Sequence, residues 1–264
     1  MTHLGLFEGV GGFSLAARWM GWETKAWCEW NEFGQQILKH HFPKAEGFGD
    51  ISKTDFTKYA DRIDILTGGF PCQDASIAKQ DGEGQQGLQG ARTGLFYEMC
   101  RAIREIKPKY VVAENVSNIL KTNGGKDFRT ILSELAGMGY NAEWRVCRAS
   151  EVGSPHQRSR MYLVAYSNSI RLQERQTFFS NVHEASSQIA WSINGATVQT
   201  FRGGAWSSDP PVLLVDDGFP YNVVGTTISN WRRESIKAAG NAIVPQIAYK
   251  IFQGIQEYED NLNN

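Results

Sequence analysis

Long apolar runs are missing from this sequence of 264 residues. A helix needs about 20 mainly apolar residues to cross a bilayer, and no run approaching that length occurs. The start, Met1-Thr2-His3-Leu4, also lacks the basic and apolar regions of a secretory signal peptide. We therefore expect a soluble, intracellular chain that makes no contact with membranes.

Cysteine is scarce. The four cysteines are Cys28, Cys72, Cys100 and Cys147, and none of them forms a CxxC pair. Zinc sites and disulfide frameworks use closely spaced or dense sets of cysteines. We therefore expect neither a bound metal nor an oxidising compartment, and at least one thiol remains free for chemistry.

A large excess of one charge is also absent. The 27 Lys and Arg residues and 28 Asp and Glu residues leave a net charge of −1, which argues against a basic protein that coats nucleic acid. A local patch is not excluded, because basic residues are concentrated in two segments. The first holds Arg145, Arg148, Arg158, Arg160, Arg171 and Arg175, and the second holds Arg232, Arg233 and Lys237. Charge alone leaves open whether these residues contact a partner or only solvent.

Strand and helix patterns alternate over the first part of the chain. Short apolar runs predict strands at Thr2–Phe7, Thr24–Cys28, Ile63–Thr67, Tyr110–Ala113, Tyr140–Val146 and Met161–Ala165. Helical spacing follows the first three of them, at Phe13–Met20, Asn31–Leu38 and Leu95–Ile106. The alternation predicts an α/β fold with a mostly parallel sheet covered on both faces, in which ligands bind at the carboxyl ends of the strands.

The chain divides into three predicted regions. Residues 1–166 form the α/β domain. Residues 167–234 are rich in Ser, Asn, Gly and Thr, with scattered tryptophans, and form a small inserted module. Residues 235–264 return to helix, with Gly240-Asn241 near its start, and rejoin the first domain.

The first predicted strand runs into the turn Phe7–Gly12, which contains three glycines. Glycine has no Cβ and tolerates positive φ, so this backbone can approach a ligand closely. The turn matches GxGxxG only in part, because Ser14 stands at the third glycine position. Glu29 ends the next strand, where a carboxylate can accept hydrogen bonds from ribose hydroxyls. Asp50-Ile51, after a further short strand, suits an adenine amino group and ring face, although an Asp there also commonly caps a turn.

Two chemical groups follow neighbouring buried strands. Cys72 comes after Phe70-Pro71 and opens onto Ser76–Gly94, a segment rich in Gly, Gln and Asp that we expect to be a mobile loop. A thiol at such a position is exposed and can be activated by a nearby cation or helix N-terminus. Glu114 lies at the end of the next predicted buried strand. Burial there would raise the pKa of its carboxyl group and suit it to act as a general acid.

In their order along the chain, these motifs resemble the cytosine-C5 DNA methyltransferases over nearly the whole sequence. The motifs are Phe7–Gly12, Glu29-Trp30, Asp50-Ile51, Gly68–Gln73, Glu114-Asn115-Val116, Arg158-Ser159-Arg160 and Gly240–Gln246. The resemblance implies a Rossmann-like, S-adenosylmethionine-dependent methyltransferase with a mostly parallel sheet and a small target-recognition module. Asp216–Pro220 is similar to a segment of compact, phage-associated members, which implies a bacterial or phage-type protein.

The resemblance also implies a mechanism. Cys72 adds to C6 of a cytosine that has been flipped out of duplex DNA, while Glu114 protonates or hydrogen-bonds N3. This addition makes C5 nucleophilic enough to take the methyl group, and loss of the C5 proton then releases Cys72. Arg158 and Arg160 hold the flipped base and its flanking phosphate, and the loop Ser76–Gly94 closes over the strand as a lid.

The same resemblance assigns the binding residues. The donor S-adenosylmethionine, and its product S-adenosylhomocysteine, are expected to contact Phe7, Gly9, Gly11, Gly12, Glu29, Trp30, Asp50, Ile51, Pro71 and Asn241. Double-stranded DNA is expected to contact Gln73, Ser76, Arg92, Arg171 and Arg202. For Arg171 and Arg202, base-edge contacts and plain phosphate or solvent contacts both remain open. We expect a monomer without a metal, in the cytoplasm of a bacterial cell or a phage-infected host.

Three positions depart from the pattern of that family. Gly5 stands where an acid usually precedes Leu-Phe, which would weaken a donor contact. His156 occupies a usual glutamine position, although Gln157 is adjacent. The motif that commonly ends the recognition module is hardly recognisable at Trp231–Glu234.

Three other functions compete with DNA methylation at C5. A tRNA-methylating branch of the family typically reads Pro-Pro-Cys and carries Cys-Phe-Thr, whereas this chain has Phe70-Pro71-Cys72 and no such tripeptide. Methylation of an exocyclic amine would use Asp-Pro-Pro-aromatic, but Asp209–Val212 ends without a stacking ring. A catalytically silent DNA-binding relative would not need Cys72, Glu114 and both arginines. The sequence therefore favours DNA.

Overall fold

The computed structural model describes residues 1–71, 94–154, 158–170, 177–182, 192–193, 196–197 and 228–262. Its strands are β1 Thr2–Leu6, β2 Glu23–Cys28, β3 Glu46–Phe48, β4 Ile65–Gly68, β5 Tyr110–Val116, β6 Tyr140–Arg148, β7 Ser159–Ser167, β8 Ser192–Ile193 and β9 Ala196–Thr197. Its helices are α1 Gly12–Trp19, α2 Glu32–His41, α3 Gly94–Ile106, α4 Lys126–Gly137, α5 Ile228–Asn241 and α6 Pro245–Leu262.

Strands β1 to β7 form one sheet in the order β3-β2-β1-β4-β5-β7-β6. Strands β1 to β5 pair in parallel, and only β7 runs against its neighbours β5 and β6. The mostly parallel sheet predicted from the sequence is therefore confirmed. Because the parallel strands share one direction, the loops after β1 to β5 all leave from the same edge of the sheet.

Helices cover both faces of this sheet, as the alternating side chains of β5 show. Val111 and Ala113 pack into a core with α3 and α4, whereas Tyr110 and Val112 pack into a second core with α1 and α6. This two-residue alternation is that of a strand buried on both sides. The mainly apolar strands thus form the centre of the α/β core.

The end of the chain differs from the prediction of one continuing helix. Gly240 and Asn241 end α5, and α6 begins at Pro245 after a short break. Proline lacks an N–H group and disfavours helical geometry at the residue before it, here Val244, so the helix stops and restarts. Helix α4 was not predicted, although Phe128, Ile131 and Leu135 are buried at helical spacing.

Part of the predicted inserted module packs against the α/β core. Phe178 is buried, and its ring centroid lies 5.7 Å from that of Tyr110 and 5.9 Å from that of Tyr258 in α6. A Cβ added at Gly254 would meet the Phe178 carbonyl oxygen at 2.5 Å, so α6 and this segment are in direct contact. Among the described residues, no helix is both long and apolar enough to cross a bilayer.

Candidate active site

The polar residues of the candidate site lie in two groups at the carboxyl edge of the sheet. The glycine half comprises the residues that follow β1, β2 and β3, together with the end of α5. The arginine half comprises the residues at the ends of β4 and β5 and at the start of β7. The sheet order places β1 next to β4, so the two halves are neighbours.

The turn after β1 has the backbone that its glycines allow. Gly9 and Gly11 have φ values of 59° and 88°, and Phe7 adopts a positive φ of 52°, which is uncommon for a residue with a side chain. The Gly9 N–H donates to Glu29 Oε2 at 2.6 Å, and the Asn31 N–H donates to Glu29 Oε1 at 2.7 Å. Glu29 therefore ties the turn to the end of β2. A Cβ added at Gly9 would meet nothing within 4 Å, so the space beside the turn is open.

The next two strand ends present an indole and a second carboxylate. Trp30 is 74% exposed. Asp50 caps the turn that follows β3, because its Oδ1 accepts from the Ser52 N–H at 3.0 Å and from Ser52 Oγ at 2.7 Å. These hydrogen bonds hold the pKa of Asp50 below its usual range. The Ile51 side chain is buried in the core beside α3.

Close backbone packing fixes the position of the turn. A Cβ at Gly34 in α2 would meet the Gly9 carbonyl oxygen at 2.4 Å, so only glycine lets the helix approach so closely. A Cβ at Gly12 would meet Ile243 Cγ1 at 2.5 Å. The break between α5 and α6 therefore lies against the turn and brings Asn241, two residues earlier, to the glycine half. Sequence reasoning did not single out Gly34 or Ile243.

Glu114 forms the centre of the arginine half. Its side chain is 10% exposed, and its Oε1 lies 3.0 Å from Arg160 Nε. Burial raises the pKa of Glu114 to about 7, and the charges of Arg160 and Arg158 oppose this rise. Close to neutral pH the carboxyl group therefore exists in both its protonated and its ionised form.

Strands β4 and β5 meet at their ends beside Glu114. Asn115 Nδ2 donates to the Phe70 carbonyl oxygen at 3.2 Å, and a Cβ added at Gly69 would stand 3.4 Å from Glu114 Oε2. Pro71 is the last described residue here, and Cys72 follows it in the sequence. The segment that carries Cys72 therefore begins at the same strand end as Glu114.

A hydrogen bond between described residues joins the two halves. Arg158 Nη1 donates to the Gly240 carbonyl oxygen at 2.7 Å. Gly240 precedes Asn241 at the end of α5, so this bond links an arginine predicted to hold the base to the residue next to Asn241, which is predicted to hold the donor. Sequence reasoning placed these residues in separate roles and gave no sign of the contact.

Comparison with known proteins assigns the family. The family model for C-5 cytosine-specific DNA methylases matches residues 1–203 of the 264. The chain belongs to the C-5 cytosine-specific DNA methylases.

Relatives and solved structures agree with this family. Type II methyltransferase M.HhaI from Haemophilus parahaemolyticus is 33% identical over 67% of this chain and 52% of its own length. Type II methyltransferase M.CviJI from Paramecium bursaria Chlorella virus IL3A is 34% identical over 96% of this chain and 58% of its own length. The crystal structure of the S. pombe Dnmt2 methyltransferase superposes with a TM-score of 0.54 at 19% identity, over 71% of this chain and 56% of that one, which supports the fold.

The matches cover only part of each relative's length. This methylase-family chain spans about half the length of the curated relatives that it matches. Several residues with predicted roles also lie outside the described residues: Cys72, Gln73, Ser76, Arg92, His156, Gln157, Arg171, Arg202, Asp209–Val212 and Asp216–Pro220. Their roles, like the activity of the whole protein, remain proposals.

Proposed function

We propose that this protein is a DNA (cytosine-5-)-methyltransferase that uses S-adenosylmethionine and forms a covalent bond between Cys72 and the target cytosine. The observation that carries the proposal is the buried Glu114–Arg160 pair, with 3.0 Å between Oε1 and Nε, at the strand end where the Cys72 segment begins. Methylation of cytosine C5 through a cysteine adduct requires an acid beside the thiol. Glu114 of this pair would supply that acid.

The other cysteines are unsuited to act as the nucleophile. Cys28, Cys100 and Cys147 are all buried free thiols. Burial raises the pKa of each to about 12, so almost none of these groups would be thiolate near neutral pH. This leaves Cys72 as the one cysteine of the sequence to which the nucleophilic role can be assigned.

In the proposed reaction, the Cys72 thiolate attacks C6 of cytosine and a new S–C6 bond forms. The electron pair displaced from the C5–C6 double bond moves into the ring, where Glu114 stabilises it by donating a proton or hydrogen bond at N3. Bound S-adenosylmethionine would supply an electrophilic methyl group to C5 and would leave as S-adenosylhomocysteine, while any proton gained at N3 returns to Glu114. A base then removes the C5 proton, the double bond re-forms, and the S–C6 bond breaks to return the thiolate.

The glycine half fits an adenosyl donor. It offers open space beside Gly9, the carboxylates of Glu29 and Asp50 at successive strand ends, and the exposed indole of Trp30. Carboxylates at these positions suit ribose and amino groups, and an indole suits a flat purine ring. We propose that these residues hold the donor with Phe7, Gly11, Gly12, Ile51, Pro71 and Asn241.

A cytosine inside a duplex cannot present C6 to a thiol, so the base must leave the helix. We propose that Arg158 and Arg160 hold it there, because both guanidinium groups lie on the Glu114 side of the sheet edge. Gln73, Ser76, Arg92, Arg171 and Arg202 are the proposed DNA contacts. We further propose that the enzyme acts as a monomer, without a metal, in the cytoplasm.

The test is transfer of labelled methyl groups from S-adenosylmethionine to three substrates in parallel: duplex DNA, the same duplex with every cytosine replaced, and tRNA. We expect transfer to the first duplex only. Bisulfite sequencing of the product then gives the sequence context of 5-methylcytosine. Methyl transfer to tRNA alone would show that the protein is an RNA methyltransferase. DNA binding without methyl transfer to any substrate would show that it is a catalytically silent DNA-binding relative.

A further inference from the structure

The side chain of Glu8 occupies the space beside Gly5. A Cβ built on Gly5 in β1 would stand 2.0 Å from Glu8 Oε1 and 2.5 Å from Glu8 Cδ. The carboxyl group of Glu8 therefore fills the space that a side chain at position 5 would take. This geometry bears on the departure noted in the sequence, where Gly5 replaces an acid that is usual in the family.

The Glu8 carboxylate holds the start of α1. Its Oε1 accepts from the Ser14 N–H at 3.1 Å and from Ser14 Oγ at 2.7 Å. The backbone of the same residue completes the turn, because the Gly11 N–H donates to the Glu8 carbonyl oxygen at 2.9 Å. One residue thus connects both ends of the glycine turn to the helix that follows.

The rest of the Glu8 carboxyl group is enclosed. Glu8 is 6% exposed, and its Oε2 is buried with no hydrogen-bond partner among the described residues. Burial raises the pKa of Glu8 to about 8, against the opposing hydrogen bonds of Ser14. Burying a carboxyl group is costly, and a surface acid would avoid this cost. The carboxyl group of Glu8 is thus buried at a cost in the turn Phe7–Gly12, and its only described hydrogen bonds are to Ser14 at the start of α1.

We propose that Glu8 is the positioning residue for the donor-binding turn, and that it supplies from position 8 the carboxyl group that the family resemblance leads us to expect at position 5. This inference rests on the proposed function, since the turn Phe7–Gly12 is the proposed donor contact. The acid has then moved from position 5 to position 8, and Gly5 no longer predicts weaker binding of the donor. Glu8 acts through the turn, and the donor itself contacts its neighbours Phe7 and Gly9.

Three variants test the relocation: Glu8→Ala, Gly5→Asp and the double variant with both changes. In Glu8→Ala, Ser14 loses its acceptor, and the donor Kd should rise about tenfold or more. The donor KM should rise in parallel, while kcat at saturating donor and the KM for DNA stay within about twofold of wild type. A general loss of folding would not produce this split. Gly5→Asp alone places two acids in one volume and should lower Tm.

The double variant decides the question. It returns an acid to position 5 and removes the clash, so we expect donor Kd and Tm near the wild-type values. Double-variant protein that fails to fold, or that folds and binds donor no better than Glu8→Ala, would overturn the relocation. Glu23→Ala is the matched control, because Glu23 lies on β2 with a side chain that is 67% exposed, and it should leave donor Kd unchanged.

Calorimetry with S-adenosylhomocysteine separates this inference from the proposed function. If the wild-type protein binds no S-adenosylhomocysteine, the proposed function fails and the inference fails with it. If the wild-type protein binds it and Glu8→Ala binds it equally well, the inference alone is wrong. If Glu8→Ala weakens binding and the double variant restores it, both stand.

Discussion

The two halves of the candidate site are built in different ways. In the glycine half, carboxylates at strand ends accept backbone N–H groups, and glycines allow close packing around open space. In the arginine half, the carboxyl group of Glu114 is buried against a guanidinium group, and its pKa is raised to about 7. Binding a polar donor needs shape and hydrogen bonds, whereas acid chemistry near neutral pH needs desolvation. We therefore expect changes in the first half to affect donor affinity and changes in the second half to affect turnover.

The largest expected effect comes from the arginine half. Glu114→Gln keeps the shape of the side chain but removes the proton that it donates, so kcat should fall by about 10²–10⁴-fold. Calorimetry should show a donor Kd within about twofold of wild type, because the glycine half is intact. Glu134→Gln, a change to a half-buried carboxylate on α4, is the control and should retain full turnover. A Glu114→Gln enzyme with normal kcat would remove Glu114 from the reaction.

The corresponding change in the glycine half is Glu29→Ala. Loss of its carboxylate removes the acceptor for the Gly9 and Asn31 N–H groups and one contact proposed for the ribose, so donor Kd should rise by about 10–100-fold. At saturating donor, kcat should remain within a few-fold of wild type. Steady-state kinetics with both substrates varied checks this split. A large fall in kcat with unchanged donor KM would contradict the division between the two halves.

A smaller effect should come from close packing in the glycine half. Gly34→Ala puts a Cβ 2.4 Å from the Gly9 carbonyl oxygen, which forces the turn to move. We expect a rise in donor Kd of about tenfold and a destabilisation of about 1–3 kcal/mol. Gly137→Ala is the matched control, since a Cβ there meets nothing within 4 Å. Equal behaviour of the two variants in donor binding and thermal unfolding would show that the approach of α2 to the turn is unimportant.

The smallest effect is on stability against pH. Because burial raises the folded-state pKa of Glu114 to about 7 from an ordinary 4.5, its contribution to stability is complete below about pH 4.5 and is lost as pH rises through 7. Wild-type protein should therefore lose more unfolding free energy between pH 5 and pH 8 than Glu114→Gln, by an amount on the order of 1–3 kcal/mol. Glu8 titrates in the same way in both proteins, so its contribution cancels from the difference between their unfolding free energies. Parallel pH profiles in urea unfolding would contradict the raised pKa.

Patterns within single segments predicted much of this molecule. Strands such as β1 and β5 are mainly apolar runs of ordinary length. Asn31, the first residue of the predicted second helix, caps α2 through hydrogen bonds from the Phe33 and Gly34 N–H groups. The alternation of strands and helices, which implies a parallel sheet, predicted that the Glu29 and Glu114 strand ends would share one edge of the sheet. These features depend on local sequence and on the direction of parallel strands.

Features that depend on contacts in space were missed. Nothing in the string Gly-Leu-Phe-Glu shows that Glu8 folds back over Gly5, and Gly34 gives no sign of its contact with Gly9. The bond from Arg158 to Gly240 joins residues 82 positions apart. Helix α4 is a different case, because its apolar spacing was present in the sequence and could have been used.

The most direct test of the account is a covalent trap. Fluorine at C5 of the target cytosine cannot leave as a proton does, so the enzyme should remain bonded to duplex DNA that contains 5-fluorocytosine in the presence of S-adenosylmethionine. We predict a complex stable to denaturation, with the DNA attached at Cys72 when the peptides are identified by mass spectrometry, and no complex with Cys72→Ser. An enzyme that methylates cytosine without forming this complex, or a complex that persists in Cys72→Ser, would contradict the mechanism.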